Sequence, residues 1–185
     1  MVAISTSSTE KDLLGILELQ RSNLSSILSA EEKQSQGFVT VAHSFEDLKQ
    51  MQVYEPNIIA KDEDTVVAYV LAMTEKSKAD IPILVPMFNG FNHIEYKRKA
   101  ITDYNYMVVG QVCVDKNYRG EGLFDRCYHA FKNQFELRYD FAITEVATVN
   151  LRSIKAHQRV GFVEIFRAKD ETGLEWSVVI WDWKA

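Results

Sequence analysis

The feature that most narrows what this chain can become is a switch of periodicity around residues 115–122. From 106 to 115 the sequence is apolar and rich in β-branched residues, which predicts a strand. From 122 to 138 the apolar positions recur at helical spacing. Between the two stand Lys116, Asn117, Tyr118 and Arg119, then Gly120, Glu121 and Gly122. A strand is thus delivered into a helix through a turn whose backbone is partly bare of side chains. Such a unit calls for layers of sheet and helix packed on one another.

The rest of the chain repeats the mixture. Residues 2–5 read as an edge strand, and 10–28 as an amphipathic helix, capped by Thr9 and Asp12, with room for one break. Ser29 and Glu32 form a capping box for a short helix that Gly37 stops. Residues 38–43 are β-like, and 45–52 are helical behind Ser44. The runs 56–61 and 66–73 flank a polar turn and predict a hairpin. Pro82 and Pro86 interrupt 81–91, so a helical turn on the surface is expected there. A strand over 141–148, a helix over 151–160 and a hairpin of 163–169 with 174–183 complete the order. It belongs to one α+β (or α/β) layer structure, a single domain over 1–185.

Charge and cysteine content then exclude several functions. With 21 Lys and Arg against 26 Asp and Glu, the net charge of −5 is a poor match for a nucleic-acid surface. Cys113 and Cys127 are too few for a disulfide framework or a four-ligand zinc site, and both read as buried thiols. No run approaches the about 18 apolar residues of a membrane span, and the expected location is the cytoplasm. No metal is expected.

The glycine turn is where chemistry is expected. Glycines allow close approach to a ligand, and the first-turn N–H groups of the helix, at the positive end of its dipole, suit an anion such as a pyrophosphate. Neither a P-loop nor a G-x-G-x-x-G fingerprint is present. A second marker lies downstream, where Asn150 is placed to cap a helix and Gly161 to end it. The turn reads Arg119-x-x-Gly122-x-Phe124, and the helix Asn150-x-x-Ser153-x-x-x-His157-x-x-x-Gly161-Phe162. In these two motifs, over residues 106–165, the chain resembles the GNAT superfamily of acyl-CoA N-acyltransferases.

The resemblance implies a mixed, mostly antiparallel central sheet flanked by helices, with a V-shaped split between the strands ending near Val114 and Thr148. It implies acetyl-CoA as co-substrate. Its pantetheine arm would pair with the backbone of Val112, Cys113 and Val114. Its pyrophosphate would sit on the N–H groups of Arg119, Gly120, Glu121, Gly122, Leu123 and Phe124, with Asn150 and Ser153 along the arm. Two positions depart from the family pattern. Phe124 replaces a small residue, so its bulk must turn from the phosphates. His157 stands where the family has a tyrosine acting as general acid, a role an imidazole can fill.

For the general base, Glu145 is the carboxylate candidate, Gln111 can hold a water, and Tyr106 and Asp103 are weaker alternatives. A strand N–H near Val112 would stabilise the oxyanion. Met87, Phe88, Phe91, His93 and Tyr96 can wall an amine pocket, and Lys97, Arg98 and Lys99 read as a solvated stretch. The expected acceptor is the primary amine of a small molecule, attacking directly in a ternary complex. A peptide amine and a non-catalytic CoA-binding module are the alternatives. No nucleic-acid or membrane partner is expected, and a homodimer is admitted.

Overall fold

Three helices start on reciprocal caps that the sequence spells out. In the computed structural model, which describes residues 1–184 apart from the side chains of 34–36 and 83, α1 (Glu10–Arg21) begins with Thr9 and Asp12 each bonding the other's backbone N–H. The same device opens α2 (Ala30–Gln36) through Ser29 and Glu32, and α3 (Phe45–Tyr54) through Ser44 and Asp47. Each box satisfies N–H groups that a helix cannot bond internally. The break anticipated within 10–28 falls at Ser22 and Asn23. Their side chains, at 3.0 and 2.9 Å, both donate to Leu19 O, competing for a carbonyl that a continued helix would use.

The strands β1 (Ala3–Thr6), β2 (Ile58–Asp62), β3 (Thr65–Met73), β6 (Tyr106–Val114), β7 (Phe141–Ala147), β8 (Val163–Lys169) and β9 (Glu175–Asp182) form one sheet in the order β1-β2-β3-β6-β7-β9-β8. Every neighbouring pair is antiparallel except β6–β7. Side chains alternate across β3: Tyr69, Leu71 and Met73 join the core beneath α1 and α3, while Ala68, Val70 and Ala72 join the core beneath α5 (Leu123–Phe135). Helices therefore cover both faces, which is why this strand is an almost unbroken apolar run.

Residues 80–105 form 3₁₀ turns, the short helix α4 (Val85–Phe91) and a two-residue ribbon of β4 (Glu95–Tyr96) and β5 (Lys99–Ala100). The aromatic wall expected here is instead core packing. Phe88 and Phe91 are buried, Tyr96 packs on Tyr104 and Phe141, and His93 is exposed. Lys97 and Arg98 occupy the ribbon's turn with φ of 50° and 64°, and Lys97 pairs with Asp182 at 2.8 Å. Residues 38–43 are irregular except for a single parallel bridge, Leu24 to Val39.

Two local events split the sheet. Between the pairs Val70–Val112 and Ala72–Val109, β6 uses three residue steps where β3 uses two, so β6 carries a bulge at Gly110 and Gln111. Strands β6 and β7 then pair only from Tyr106–Phe141 to Val108–Ile143. A last tie, Thr144 Oγ1 to Val109 O at 2.7 Å, lies at the point of divergence. Beyond it the strands part toward Val114 and the end of β7, which is the V-shaped split of the expected fold. At the bulge a Cβ on Gly110 would stand 1.9 Å from Met73 Sδ, so a larger residue there forces the fully buried Met73 side chain to shift. Gly110→Ala is accordingly expected to destabilise the protein by about 1–3 kcal/mol. Denaturant unfolding checks this, and wild-type stability in the variant would overturn the assignment.

Candidate active site

At the open end of the split the chain leaves β6 and turns. Asp115 N–H donates to Val67 O at 2.8 Å, and the Asp115 carboxylate accepts from Asn117 N–H at 2.8 Å, fixing the exit. Gly120 has φ of +85° and Gly122 φ of +71°, left-handed values that favour glycine, and a Cβ on either would meet nothing within 4 Å. Gly122 is the N-cap of α5, and the first helical bond runs from Arg126 N–H back to Gly122 O at 3.0 Å. No side chain caps this helix, so the N–H groups of Leu123, Phe124 and Asp125 point out of its first turn.

These N–H groups border a cavity of about 510 Å³. It is walled by the end of β6, the glycine turn, the start of α6 (Leu151–Val160) and residues 37–39. Val112, Cys113, Val114, Arg119, Gly120, Gly122, Leu123, Phe124, Asn150 and Ser153 all line it. Glu121, nominated with them, is exposed outside the lining. Phe124 turns its ring onto Tyr128 and His157, at 4.9 and 5.4 Å between centroids, leaving its backbone at the cavity. Tyr118, Asn23, Phe38, Val39, Arg152, Lys155 and Arg159 also line the cavity. Sequence reasoning missed them because loop closure and helix packing bring them there. Only the helical spacing of the three cations was a readable signal.

Arg119 anchors the turn: its Nε donates to Val114 O at 2.9 Å and its guanidinium to Asn23 Oδ1 at 2.7 Å. Burial lowers its pKa below the ordinary arginine value. Among the described charged residues lining the cavity, Arg119, Arg152, Lys155 and Arg159 stand against a single carboxylate, Asp125. In an acidic chain this is a locally basic chamber, suited to an anion with several charges. Cys113 lines it as a neutral thiol, its pKa pushed up to about 12 by burial.

The three residues nominated for proton transfer are dispersed. Gln111 is buried and committed at both ends: its Oε1 accepts from Tyr69 OH at 2.5 Å, and its Nε2 donates to Val41 O at 2.8 Å. It braces residues 37–43 against β6, where the sequence suggested a water holder. Asn150 performs the matching task from the other arm, donating to Phe38 O at 3.1 Å while capping α6 through Ser153 N–H. The strap 37–43 is therefore tied to both arms of the split.

His157 corrects the general-acid expectation. The ring is 2% exposed and absent from the cavity lining. Nδ1 lies 2.8 Å from Ser153 O, an acceptor only, so Nδ1 carries the proton, and Nε2 accepts from Tyr128 OH at 2.7 Å. Burial lowers its pKa to about 4, and the neutral ring presents no proton to the cavity. His43 is likewise buried and lowered to about 4, the charge of Asp47 opposing in part. A histidine depressed from 6.5 to about 4 contributes stability that is complete above pH 6.5 and lost as pH falls toward 4. For His157 this is on the order of 3 kcal/mol at full titration. Thermal unfolding between pH 7 and 4.5 should show the loss. His157→Asn should start lower and fall less steeply, and an unchanged slope would count against the assignment.

Glu145 lies outside the cavity. It sits on β7 one residue past the Thr144 tie, opposite Val178, on the sheet face shared with Phe141 and Ile143. Its Oε1 is 3.8 Å from where a Cβ on Gly90 would be, so α4 stands over it. Burial, with the charge of Asp170 added, raises its pKa to about 7. A half-buried carboxylate of that pKa beside the split has the properties of a general base near neutral pH. The described residues hold no group of three or more His, Cys, Asp or Glu placed to bind a metal.

The sequence matches the profile of the acetyltransferase (GNAT) family over residues 24–162. No curated protein matches it significantly. Similar solved structures include the ribosomal-protein-S18-alanine N-acetyltransferase from Escherichia coli, at 15% identity and a TM-score of 0.61, covering 97% of this chain and 92% of that one. Ard1 from Thermoplasma volcanium follows at 14% and 0.64, covering 97% and 95%. An N-acetyltransferase from Staphylococcus aureus Mu50 gives 13% and 0.65, covering 100% and 99%. At these identities the likeness is one of fold.

Proposed function

Because the chain belongs to the acetyltransferase (GNAT) family, we propose that it transfers an acetyl group from acetyl-CoA to the primary amine of a small molecule by direct attack in a ternary complex. The observation that carries this reading is the cavity at the mouth of the split, where bare glycines, first-turn N–H groups and cationic side chains converge. A donor with a pyrophosphate and an extended arm needs phosphate-binding N–H groups beside an unpaired strand edge. The edge of β6 beyond Val108 has no β7 partner.

The donor supplies an acyl carbon activated as a thioester. The chain's residues do the remaining work. A strand N–H near Val112 faces the charge that develops on the carbonyl oxygen. The Glu145 carboxylate, directly or through one water, removes a proton from the ammonium form of the acceptor and frees the nitrogen lone pair. As the nitrogen–carbon bond forms, the carbon–sulfur bond breaks. A thiol has a pKa of about 8.5, so the thiolate can depart and take its proton from water, without an acid such as His157.

The strap supports a small acceptor. Residues 37–43 are tied to both arms of the split by Gln111 and Asn150, which favours a bounded acceptor site over an open groove for an extended peptide. A peptide amine is the second reading, favoured by the likeness to an enzyme named for a ribosomal-protein alanine. Thiol release from acetyl-CoA over a panel of small amines and N-terminal peptides separates them. Turnover on peptides alone would reassign the acceptor, and CoA binding without turnover would make the protein a CoA-binding module.

A further inference from the structure

Helices α1, α2, α3 and α5 each carry an acid three residues after the capping position, and α5 uses it differently. In the first three, Asp12, Glu32 and Asp47 turn back and accept the backbone N–H of Thr9, Ser29 and Ser44. Asp125 stands at the same distance from Gly122. Both of its oxygens face the other way, across to α6, where Arg159 grips them through Nε at 2.9 Å and a terminal nitrogen at 2.7 Å. Asp125 and Arg159 both line the cavity, so the pair joins two of its walls.

A carboxylate folded back on its own first turn takes up N–H donors and lays a negative charge over the positive end of the helix. That arrangement suits a helix that only needs capping. In α5 the same donors border the cavity, and a carboxylate among them would compete with an anionic ligand for the same place. Arg159 removes the competitor in two ways: it directs the carboxylate outward and cancels its charge. The pair is partly exposed, its side chains 56% and 31% accessible, so it contributes little to stability. Its larger effect is on the field at the mouth of the helix.

We propose that Arg159 is a positioning residue, which keeps the first turn of α5 open to a phosphate-bearing ligand by holding Asp125 away from it. Arg159 acts through Asp125 and has no need to touch the ligand. Without it the carboxylate is free to swing toward the N–H groups of its own helix, and the chain becomes its own competitor. The inference rests on the acyl-CoA reading above and adds to it a residue on which the openness of the anion site depends.

Calorimetric titration of the full chain with CoA tests it. Arg159→Gln should weaken binding about tenfold or more, because an uncompensated carboxylate then faces the phosphates. Asp125→Asn should bind at least as tightly as the wild type. The double variant, with neither charge, should return to within about threefold of the wild type, a rescue that a merely structural role would not give. All three should remain folded, since the ion pair is partly exposed, and thermal unfolding verifies this. Wild-type affinity in Arg159→Gln would overturn the inference. A double variant as weak as Arg159→Gln would overturn it too, by showing that Arg159 meets the ligand itself. Either result leaves the acyl-CoA reading standing, whereas a wild type that binds no CoA would overturn that reading and this inference with it.

Discussion

Gly122→Asp is expected to abolish CoA binding while the protein stays folded. The substitution places a carboxylate at the N-cap of α5, where open space receives it without a clash. The φ of +71° strains any side chain, but aspartate is among the residues that tolerate this region, at about 1–2 kcal/mol. That is small beside the about 5–15 kcal/mol by which domains are stable. The effect on an anionic ligand is far larger. An aspartate N-cap accepts hydrogen bonds from the N–H groups of the first turn, occupying the donors that a pyrophosphate needs. It also sets a negative charge against the phosphates in place of a helix dipole that attracts them. Loss of two or three charge-assisted hydrogen bonds should weaken binding by about 100-fold or more. Calorimetry with CoA, beside a thermal unfolding curve, decides the matter. Unchanged affinity in a folded variant would refute the placement of the donor. Gly122→Ala, which brings the strain without the charge, should lose much less.

The second large effect is expected at Glu145. With a pKa near 7, the group is protonated and unable to accept a proton at pH 6, and ionised at pH 8. The rate of acyl transfer should therefore rise with pH through about 7. Glu145→Gln should remove this limb and lower kcat by about 10²–10⁴ while CoA affinity is unchanged, since the residue lies outside the cavity. Asp170→Asn should move the limb to lower pH, because the Asp170 charge contributes to the raised pKa. Stability should respond in the opposite sense. A buried carboxyl that resists ionisation disfavours the folded state as pH rises from 4.5 to 7, so Glu145→Gln should unfold at a higher temperature than wild type at pH 8. A variant that is stabilised at pH 8 yet keeps its full rate and its pH limb would remove Glu145 from the chemistry.

Much of this was legible in the sequence because its signals are local. Thr9 with Asp12, Ser29 with Glu32 and Ser44 all cap helices within a few residues of themselves, and each appears where the pattern put it. The passage from β6 through Gly120 and Gly122 into α5 is equally local, as are Asn150 and Gly161 at the two ends of α6. What the sequence hid depends on residues far apart in the chain. Nothing near Gln111 announces that its amide joins Tyr69 to Val41, 42 residues before it and 70 before it. Nor does the motif around His157 reveal Tyr128 on another helix, whose hydroxyl turns a candidate acid into a core contact. The aromatic run of 81–105 read as a pocket wall, and only the long-range packing that buries Phe88 and Phe91 shows it to be core.

The short pairing of β6 with β7 has a further consequence. Three residue pairs join these strands, against seven between β7 and β9. The sheet is thus two plates, β1-β2-β3-β6 and β7-β9-β8, meeting at a narrow hinge reinforced by Thr144 and by the strap. Met107, Val108, Ala142 and Ile143 at this junction are fully buried, so its hydrogen bonds open only with the core. A ligand lodged between the end of β6 and the start of α6 touches both plates at once and acts as a clasp. Occupancy of the cavity should then be felt as slower amide exchange along β6 and β7, well beyond the residues in contact, and as a rise in overall stability that grows with ligand concentration.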